Sequence, residues 1–267
     1  MTKTYMTIIL ACLLLGVVPA AAQVQNLSCG THETDTPSAD PLIRFVWEAP
    51  DGMPDATYYG LFDTDETFVF DDLNTGDMSA FSGTTYEADM SELSPDGESR
   101  WFHVAPADEM GEIGPTTTDG PYQIDTAPPS EAKVTLPGTT SERIVTLTLA
   151  ATGATEIFVS SIGHDGADGQ WEDMAETREW SLSGSGGDTG VYVRFRDAAG
   201  NTADADTTTT YIAGDLNCDG AAALDDLILA FQVVTGSPAA IPCLSDTNDD
   251  GQIGAAEMVW LLSHIAE

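Results

Sequence analysis

Two stretches near the C-terminus carry oxygen-bearing side chains at the same spacing. Asp215-Leu216-Asn217-Cys218-Asp219-Gly220 runs on to Asp226, and Asp246-Thr247-Asn248-Asp249-Asp250-Gly251 runs on to Glu257. Both are twelve-residue loops with oxygen ligands at positions 1, 3 and 5 and a glycine at position 6 for a tight turn. Position 7, Ala221 or Gln252, offers a backbone carbonyl, and a carboxylate at position 12 closes the shell. A hard cation that takes six to eight oxygens accounts for this spacing, which a surface acidic run does not. The expected ligands of Ca2+ are therefore Asp215, Asn217, Asp219, Ala221 and Asp226 in the first loop, and Asp246, Asn248, Asp250, Gln252 and Glu257 in the second. Asp226 is one methylene shorter than Glu257, so the first site should be the weaker or more hydrated.

The elements that must position these loops are unusual for paired calcium hands. Thr207 to Ile212 reads as a β-strand entering the first loop, and Ile241-Pro242-Cys243 precedes the second, so neither has an entering helix. Each has an exiting one, Leu227 to Val234 ending at Gly236, and Met258 to Ile265. Loop followed by helix, twice, with the motif Gly-Asp-Leu-Asn-x-Asp-Gly, resembles a type I dockerin module over residues 214–267. That resemblance implies calcium at the same loop positions and a cohesin-like partner domain. Positions 10 and 11 hold Leu224-Asp225 and Ala255-Ala256, where many cellulosomal dockerins carry a hydroxyl pair for partner recognition.

The apolar content of the two helices exceeds what they can bury on each other. Leu227, Ala230, Phe231 and Val234 form an i, i+3, i+4, i+7 stripe suited to packing on the second helix, which offers Met258, Leu261, Leu262 and Ile265. Ile228, Leu229, Val233, Val259 and Trp260 are then surplus and form a candidate partner-binding surface. The alternative is that they pack on the preceding domain near Tyr211 and Ile212.

Cysteines and the N-terminus indicate the compartment. A single charge at Lys3, an apolar run from Ile8 to Val18 and the small residues Ala20-Ala21-Ala22 read as a signal peptide over residues 1–22, too short to span a bilayer. Cys29, Cys218 and Cys243 remain in the mature chain. A Cys218–Cys243 bridge would staple the two loops together and stabilise the module by about 3 kcal/mol. Cys29 is left free or paired with another molecule. A secreted or cell-surface protein with no further membrane span follows.

Charge narrows the partners. The chain has 44 Asp and Glu against 8 Lys and Arg, a net −36, and Lys133 is the one lysine beyond the leader. Only nine of the carboxylates lie beyond residue 213, so the acidity belongs mainly to the middle of the chain. Such a field excludes nucleic-acid binding by electrostatics and disfavours anionic membranes. Molar salt, with a Debye length of about 3 Å, would screen the self-repulsion, which suits a saline habitat.

The middle reads as two tandem β-sandwiches. Arg143 to Leu149 and Val191 to Arg196 alternate with period two, and Gly, Asp and Pro clusters separate such runs. Ala56 to Leu61 repeats as Ala154 to Val159, and Val104 to Gly111 repeats as Val193 to Gly200, whose Asp-x-x-Gly turns place glycine in the left-handed region. The copies resemble fibronectin type III and bacterial Ig-like domains, joined by a linker-like Ile124 to Pro129; Arg100 stands where the first would usually carry a core tyrosine. The expected fold is mostly β: a linker over 23–39, sandwiches over 40–125 and 126–213, then the small helical calcium module.

Catalytic signatures are missing from the sequence: no Gly-x-Ser-x-Gly, His-Glu-x-x-His or phosphate loop occurs. His103 alternates with Phe102 and Val104 and reads as an outward structural histidine, and His164 lies in an acidic turn. The pairs Trp171 with Trp180 and Tyr58 with Tyr59 are candidates for a sugar-binding platform. The sequence thus points to a non-enzymatic calcium-binding scaffold or adhesion protein that docks on another protein. The alternative is a carbohydrate-binding accessory of an extracellular polysaccharide-degrading system, with polysaccharide as the ligand.

Overall fold

The computed structural model describes residues 22–76, 78–91, 97–182 and 186–265; the leader expected over residues 1–22 lies, except for residue 22, outside them. The chain divides into two compact units. One comprises the described residues up to 36 together with 41–123, the other 37–40 and everything from 124 onward.

In the first unit β1 (Gln25–Cys29), β3 (Leu42–Glu48) and β6 (Thr85–Asp89) form one antiparallel sheet in the order β1-β3-β6. β8 (Thr117–Ile124), β7 (Ser99–Ala107), β4 (Thr57–Asp63) and the two-residue β5 (Phe81–Ser82) form the other in that order. The short β2 (Pro37–Ser38) belongs to the segment assigned to the second unit. Alternation drives the packing: Ile43, Phe45 and Trp47 of β3 point inward while Leu42, Arg44 and Glu48 do not. Phe45 stacks on Phe102 of the opposite sheet with centroids 4.1 Å apart, and Trp47 meets Tyr58 edge-on at 5.2 Å. Segment 23–39, expected to be a linker, instead supplies β1 and the buried Val24. The register of β7 against β8 shifts between Arg100 and Phe102. Opposite this bulge only glycine fits at 120, where φ is +143° and a Cβ would lie 2.9 Å from the Arg100 carbonyl oxygen.

The second unit repeats this order. β9 (Ser130–Thr135), β11 (Ile144–Thr152) and β14 (Thr177–Ser181) form one sheet, and β10 (Thr139–Thr140), β16 (Thr202–Tyr211), β15 (Gly187–Arg196), β12 (Glu156–Ser160) and β13 (Trp171–Asp173) the other. Val145, Leu147 and Leu149 from one sheet and Ile157, Val191, Val193 and Phe195 from the other close a single core. Three strands facing a larger sheet, with the order kept in both copies, is an immunoglobulin-type sandwich arrangement. The repeated turn is also kept: Gly111 and Gly200 have φ of +84° and +98°, and their amides bond back to the carbonyls of Asp108 and Asp197.

Two helices follow in the same unit, α1 (Leu224–Val234) and α2 (Ala255–His264), and they are the only ones among the described residues. Each starts three residues before the position inferred from sequence, at loop position 10, so the loop's last carboxylate lies in the first helical turn. The module from residue 214 on shares a compact unit with the second sandwich rather than standing apart. Trp260 packs against both the sandwich core and the small core of Leu216, Ala230 and Leu261.

Candidate metal centre

The two loops match feature for feature. Position 4 takes the left-handed conformation in both, Cys218 at φ 63° and Asp249 at φ 65°, and the position 6 glycines follow at 93° and 76°. Each polar side chain at position 3 or 5 accepts the amide two residues on. Asn217 Oδ1 accepts from Asp219 at 2.8 Å and Asp219 Oδ1 from Ala221 at 3.1 Å, and Asn248 and Asp250 do the same at 3.3 and 2.9 Å. Position 1 holds the turn from within. Asp215 accepts the amides of Asp219 and Gly220 at 3.2 and 2.9 Å, and Asp246 those of Asn248, Asp249 and Gly251 at 3.1, 2.7 and 2.7 Å. The side chains of positions 3 and 5 also bond to each other, Asn217 to Asp219 and Asn248 to Asp250.

Position 12 serves both loop and helix. Neither Ala223 nor Gly254 at the N-cap has a capping side chain, so the carboxylate three residues on accepts the cap amide, Asp226 at 2.8 Å and Glu257 at 2.7 Å. The other oxygen reaches back to the loop's start. Asp226 takes the amides of Leu216 and Asn217 at 2.8 and 3.0 Å, and Glu257 the amide of Thr247 at 3.2 Å and its hydroxyl at 3.0 Å. The shorter Asp226 thus spans its loop as Glu257 does.

Asp215, Asp226 and Glu257 are fully buried and Asp246 is 4 % exposed. Among the described residues none of the four has an ion-pair partner; the carboxylate that Arg143 pairs with in the second loop is that of Asp249, 3.2 Å from Oδ1. Burial pushes the Asp246 carboxyl up, but the amides of Gly251, Asp249, Asn248 and Asp250 outweigh it and hold it below the ordinary carboxylate value. Among the described residues no three His, Cys, Asp or Glu side chains converge as a ready-made cage. The carboxylates bond to loop amides instead, and each retains unused lone pairs. The donor chemistry of each loop is all oxygen: carboxylates, an asparagine amide and the carbonyl of Ala221 or Gln252. That set fits a hard divalent cation, which would supply the counter-charge that the buried anions lack.

Cys218 and Cys243 form a disulfide with Cα atoms 5.6 Å apart, tying the first loop to the strand of chain that enters the second. The Cys243 amide also bonds to the Leu216 carbonyl at 3.4 Å. Cys29 is a free, half-buried thiol whose sulfur accepts the His32 amide at 3.3 Å.

The helix faces differ from the expected ones. Ala230 and Leu261 are central to the small core; Leu227, Leu229, Met258 and Ile265 pack on it, as do the position 8 residues Ala222 and Ile253. Phe231, Val234 and Leu262, assigned to the helix–helix contact, are exposed. Leu229 and Trp260, assigned to the partner surface, are half-buried and pack on the small core, and Val233 is half-buried. Ile228 and Val259 are exposed at 52 % and 61 %. Ile228 and Phe231 line, with Leu227, Met258 and Leu262, an apolar groove of about 690 Å³ between the helices. The inner face was displaced because Ala222, Ile253 and Trp260 occupy it, which turns the neighbouring stripe of α1 outward.

Contacts from the sandwich, invisible in the sequence, complete the site. The Ser141 hydroxyl donates to Asp215 Oδ2, and Arg143 Nη1 donates to the Asp246 carbonyl at 3.1 Å. Tyr211 donates to the same carbonyl at 3.2 Å. Gly214, at φ +81°, lets the chain pass under Trp260, where a Cβ would lie 2.6 Å from the indole.

The remaining candidates do not assemble. Trp171 lies on β13 and Trp180 on β14, in different sheets, and Tyr58 is buried while Tyr59 faces Phe70, so neither pair forms a platform. Arg196 covers the Trp171 ring at 4.0 Å. His103 is buried rather than outward, because Phe68 and Phe70 from the loop after β4 cover that face of β7. Its Nδ1 meets Thr118 Oγ1 at 2.9 Å, and burial lowers its pKa. His164 sits beside Asp204 at 3.8 Å and on Tyr192. Among the described residues no helix is long and apolar enough to cross a membrane.

No family model and no curated protein matches this chain. Among solved structures, fibronectin(III)-like modules of CbhA from Clostridium thermocellum are similar at 10 % identity and a TM-score of 0.39, covering 70 % of this chain and 94 % of that one. The FN1–FN3 domains of chicken CNTN1 are similar at 12 % identity and a TM-score of 0.33, covering 72 % of this chain and 68 % of that one.

Proposed function

We propose that this chain is a secreted, non-enzymatic binding protein in which two β-sandwiches carry a dockerin-like module that folds around two calcium ions and docks on another extracellular protein. The observation that carries the reading is the pair of equivalent loops whose position 1 and position 12 carboxylates are buried with no cationic side chain paired to them among the described residues. Asp215, Asn217, Asp219, Asp226 and the Ala221 carbonyl would hold one ion. Asp246, Asn248, Asp250, Glu257 and the Gln252 carbonyl would hold the other. Bound calcium neutralises the buried charge, and the loop residues then fix the start of each helix.

The docking face is the exposed side of the two helices, Ile228, Phe231, Val259 and Leu262, a patch that neither the small core nor the sandwich covers. A cohesin-like or other extracellular domain with an apolar, uncharged contact surface fits it. The test is capture from the secreted fraction on immobilised protein with calcium and with chelator. Capture that depends on calcium and is lost in the Ile228→Ser/Phe231→Ser double variant is the expected result. Capture indifferent to both calcium and these substitutions would overturn the docking assignment.

A further inference from the structure

The turn between β10 and β11 belongs to the sandwich, yet its three residues touch both calcium-loop candidates. Ser141 Oγ donates to Asp215 Oδ2 across 74 residues of sequence. Glu142 accepts the Leu244 amide at 3.2 Å, just ahead of the second loop. Arg143, its side chain only 12 % exposed, donates to the Asp246 carbonyl at 3.1 Å and lies 3.2 Å from Asp249 Oδ1. Position 1 of each loop is therefore tied to one sandwich turn, at a side chain in the first loop and at the backbone in the second. Tyr211 at the end of β16 and Ser245 just ahead of the second loop reinforce the tie: the Tyr211 hydroxyl donates to the Asp246 carbonyl at 3.2 Å, and Ser245 accepts the Gly214 amide at 2.7 Å.

We propose that Ser141 is a positioning residue for the first cation loop, so that cation binding and the docking of the helical module on the second sandwich form one coupled equilibrium. This rests on the calcium reading given above. Asp215 is fully buried, and its Oδ2 is shared between the Ser141 hydroxyl and the Gly220 amide at 2.9 Å. Those two donors set which way the carboxylate faces and leave its remaining lone pairs for a cation. Groups that orient a metal-ligating carboxylate from behind are commonly worth 10–100-fold in affinity. Because coupling is reciprocal, an ion that needs the Ser141-held rotamer must also tighten the contact between module and sandwich by the same factor. The calcium hands are then a joint whose stiffness follows the calcium concentration, and the sandwich turn is the part that senses it.

The experiment is a calorimetric calcium titration of the full chain as wild type, Ser141→Ala and Ser141→Thr, with thermal melts in calcium and in chelator. Ser141→Ala should weaken one of the two sites by about tenfold or more and leave the other within about twofold. Ser141→Thr, which keeps the hydroxyl, should restore it. The calcium-induced rise in melting temperature should shrink in Ser141→Ala, while the melt in chelator stays at the wild-type value. Two wild-type sites with both affinities unmoved in Ser141→Ala would overturn the inference alone. A melt in chelator lowered as much as the melt in calcium would reduce Ser141 to a structural contact and overturn it as well. A wild-type chain that takes up no calcium would overturn the calcium reading, and this inference with it.

Discussion

Reduction of the Cys218–Cys243 bridge should destabilise the helical module by an amount set by the loop it closes. The two cysteines are 25 residues apart. In the chain-entropy treatment a loop of that length restricts the unfolded chain by about 12 cal/mol/K, which is about 3.5 kcal/mol at 25 °C. Both half-cystines are held by other contacts: Cys243 is buried, and its amide bonds to the Leu216 carbonyl. The folded backbone therefore accommodates two thiols, and the loss falls on the unfolded state. With m of about 1–2 kcal/mol/M in urea for a unit of this size, the midpoint of the helical transition should fall by roughly 1.8–3.5 M. The assay is urea unfolding followed by circular dichroism at the helical minimum, oxidised against reduced, with calcium in excess throughout. The first sandwich contains no disulfide among its described residues, so exchange protection of its β4 and β7 amides should not move. A reduced protein whose helical midpoint lies within about 0.5 M of the oxidised one would refute the reasoning, because the staple would then be redundant with the loops.

Trp260→Ser should lower the melting temperature of the second unit, since the indole packs on both cores; a half-buried tryptophan is worth about 2 kcal/mol, or roughly 4–8 °C. Phe231→Ser, at a side chain 56 % exposed, should leave stability within about 0.5 kcal/mol, and equal losses in the two variants would contradict the assigned faces. His103 is buried with its pKa lowered by desolvation, so the unfolded chain binds the extra proton first as pH falls. The stability it contributes is fully present above the unfolded value of about 6.5 and is lost as pH falls from there toward the lower folded value. The protection of the β7 amides, taken as the free-peptide exchange rate over their own at the same pH, should therefore fall between pH 7 and 5 in the wild type and lose that slope in His103→Gln; an unchanged slope would place the titration elsewhere.

The loop geometry was legible because oxygen-bearing side chains recur at one local spacing around a tight turn, and a left-handed position 4 and glycine at position 6 recur in both. The sandwich strands were legible through period two, as in Val145-Leu147-Leu149, where one face is core and the other solvent. Alternation failed at His103, since it assumes that one face of a strand meets water, whereas a loop carrying Phe68 and Phe70 covers that face. It failed again at β1, whose Gln25–Cys29 segment has mostly polar, exposed side chains and is held by pairing with β3 rather than by a buried face. Helical period located α1 and α2 but not their inner stripes, because Leu227-Phe231-Val234 and Leu229-Ala230 are both plausible until Trp260 is seen to fill the space between module and sandwich. Ser141 and Arg143 carried no local signal, as their partners lie 74 and 103 residues away.

The central claim is that residues 215–257 form two calcium sites that fold the module, and calcium binding to chelator-stripped protein tests it most directly. Isothermal titration should resolve two calcium ions per chain, with helical ellipticity recovered in step and one site removed by Glu257→Gln. No heat of binding, with helical ellipticity the same in chelator as in millimolar calcium, would contradict the account.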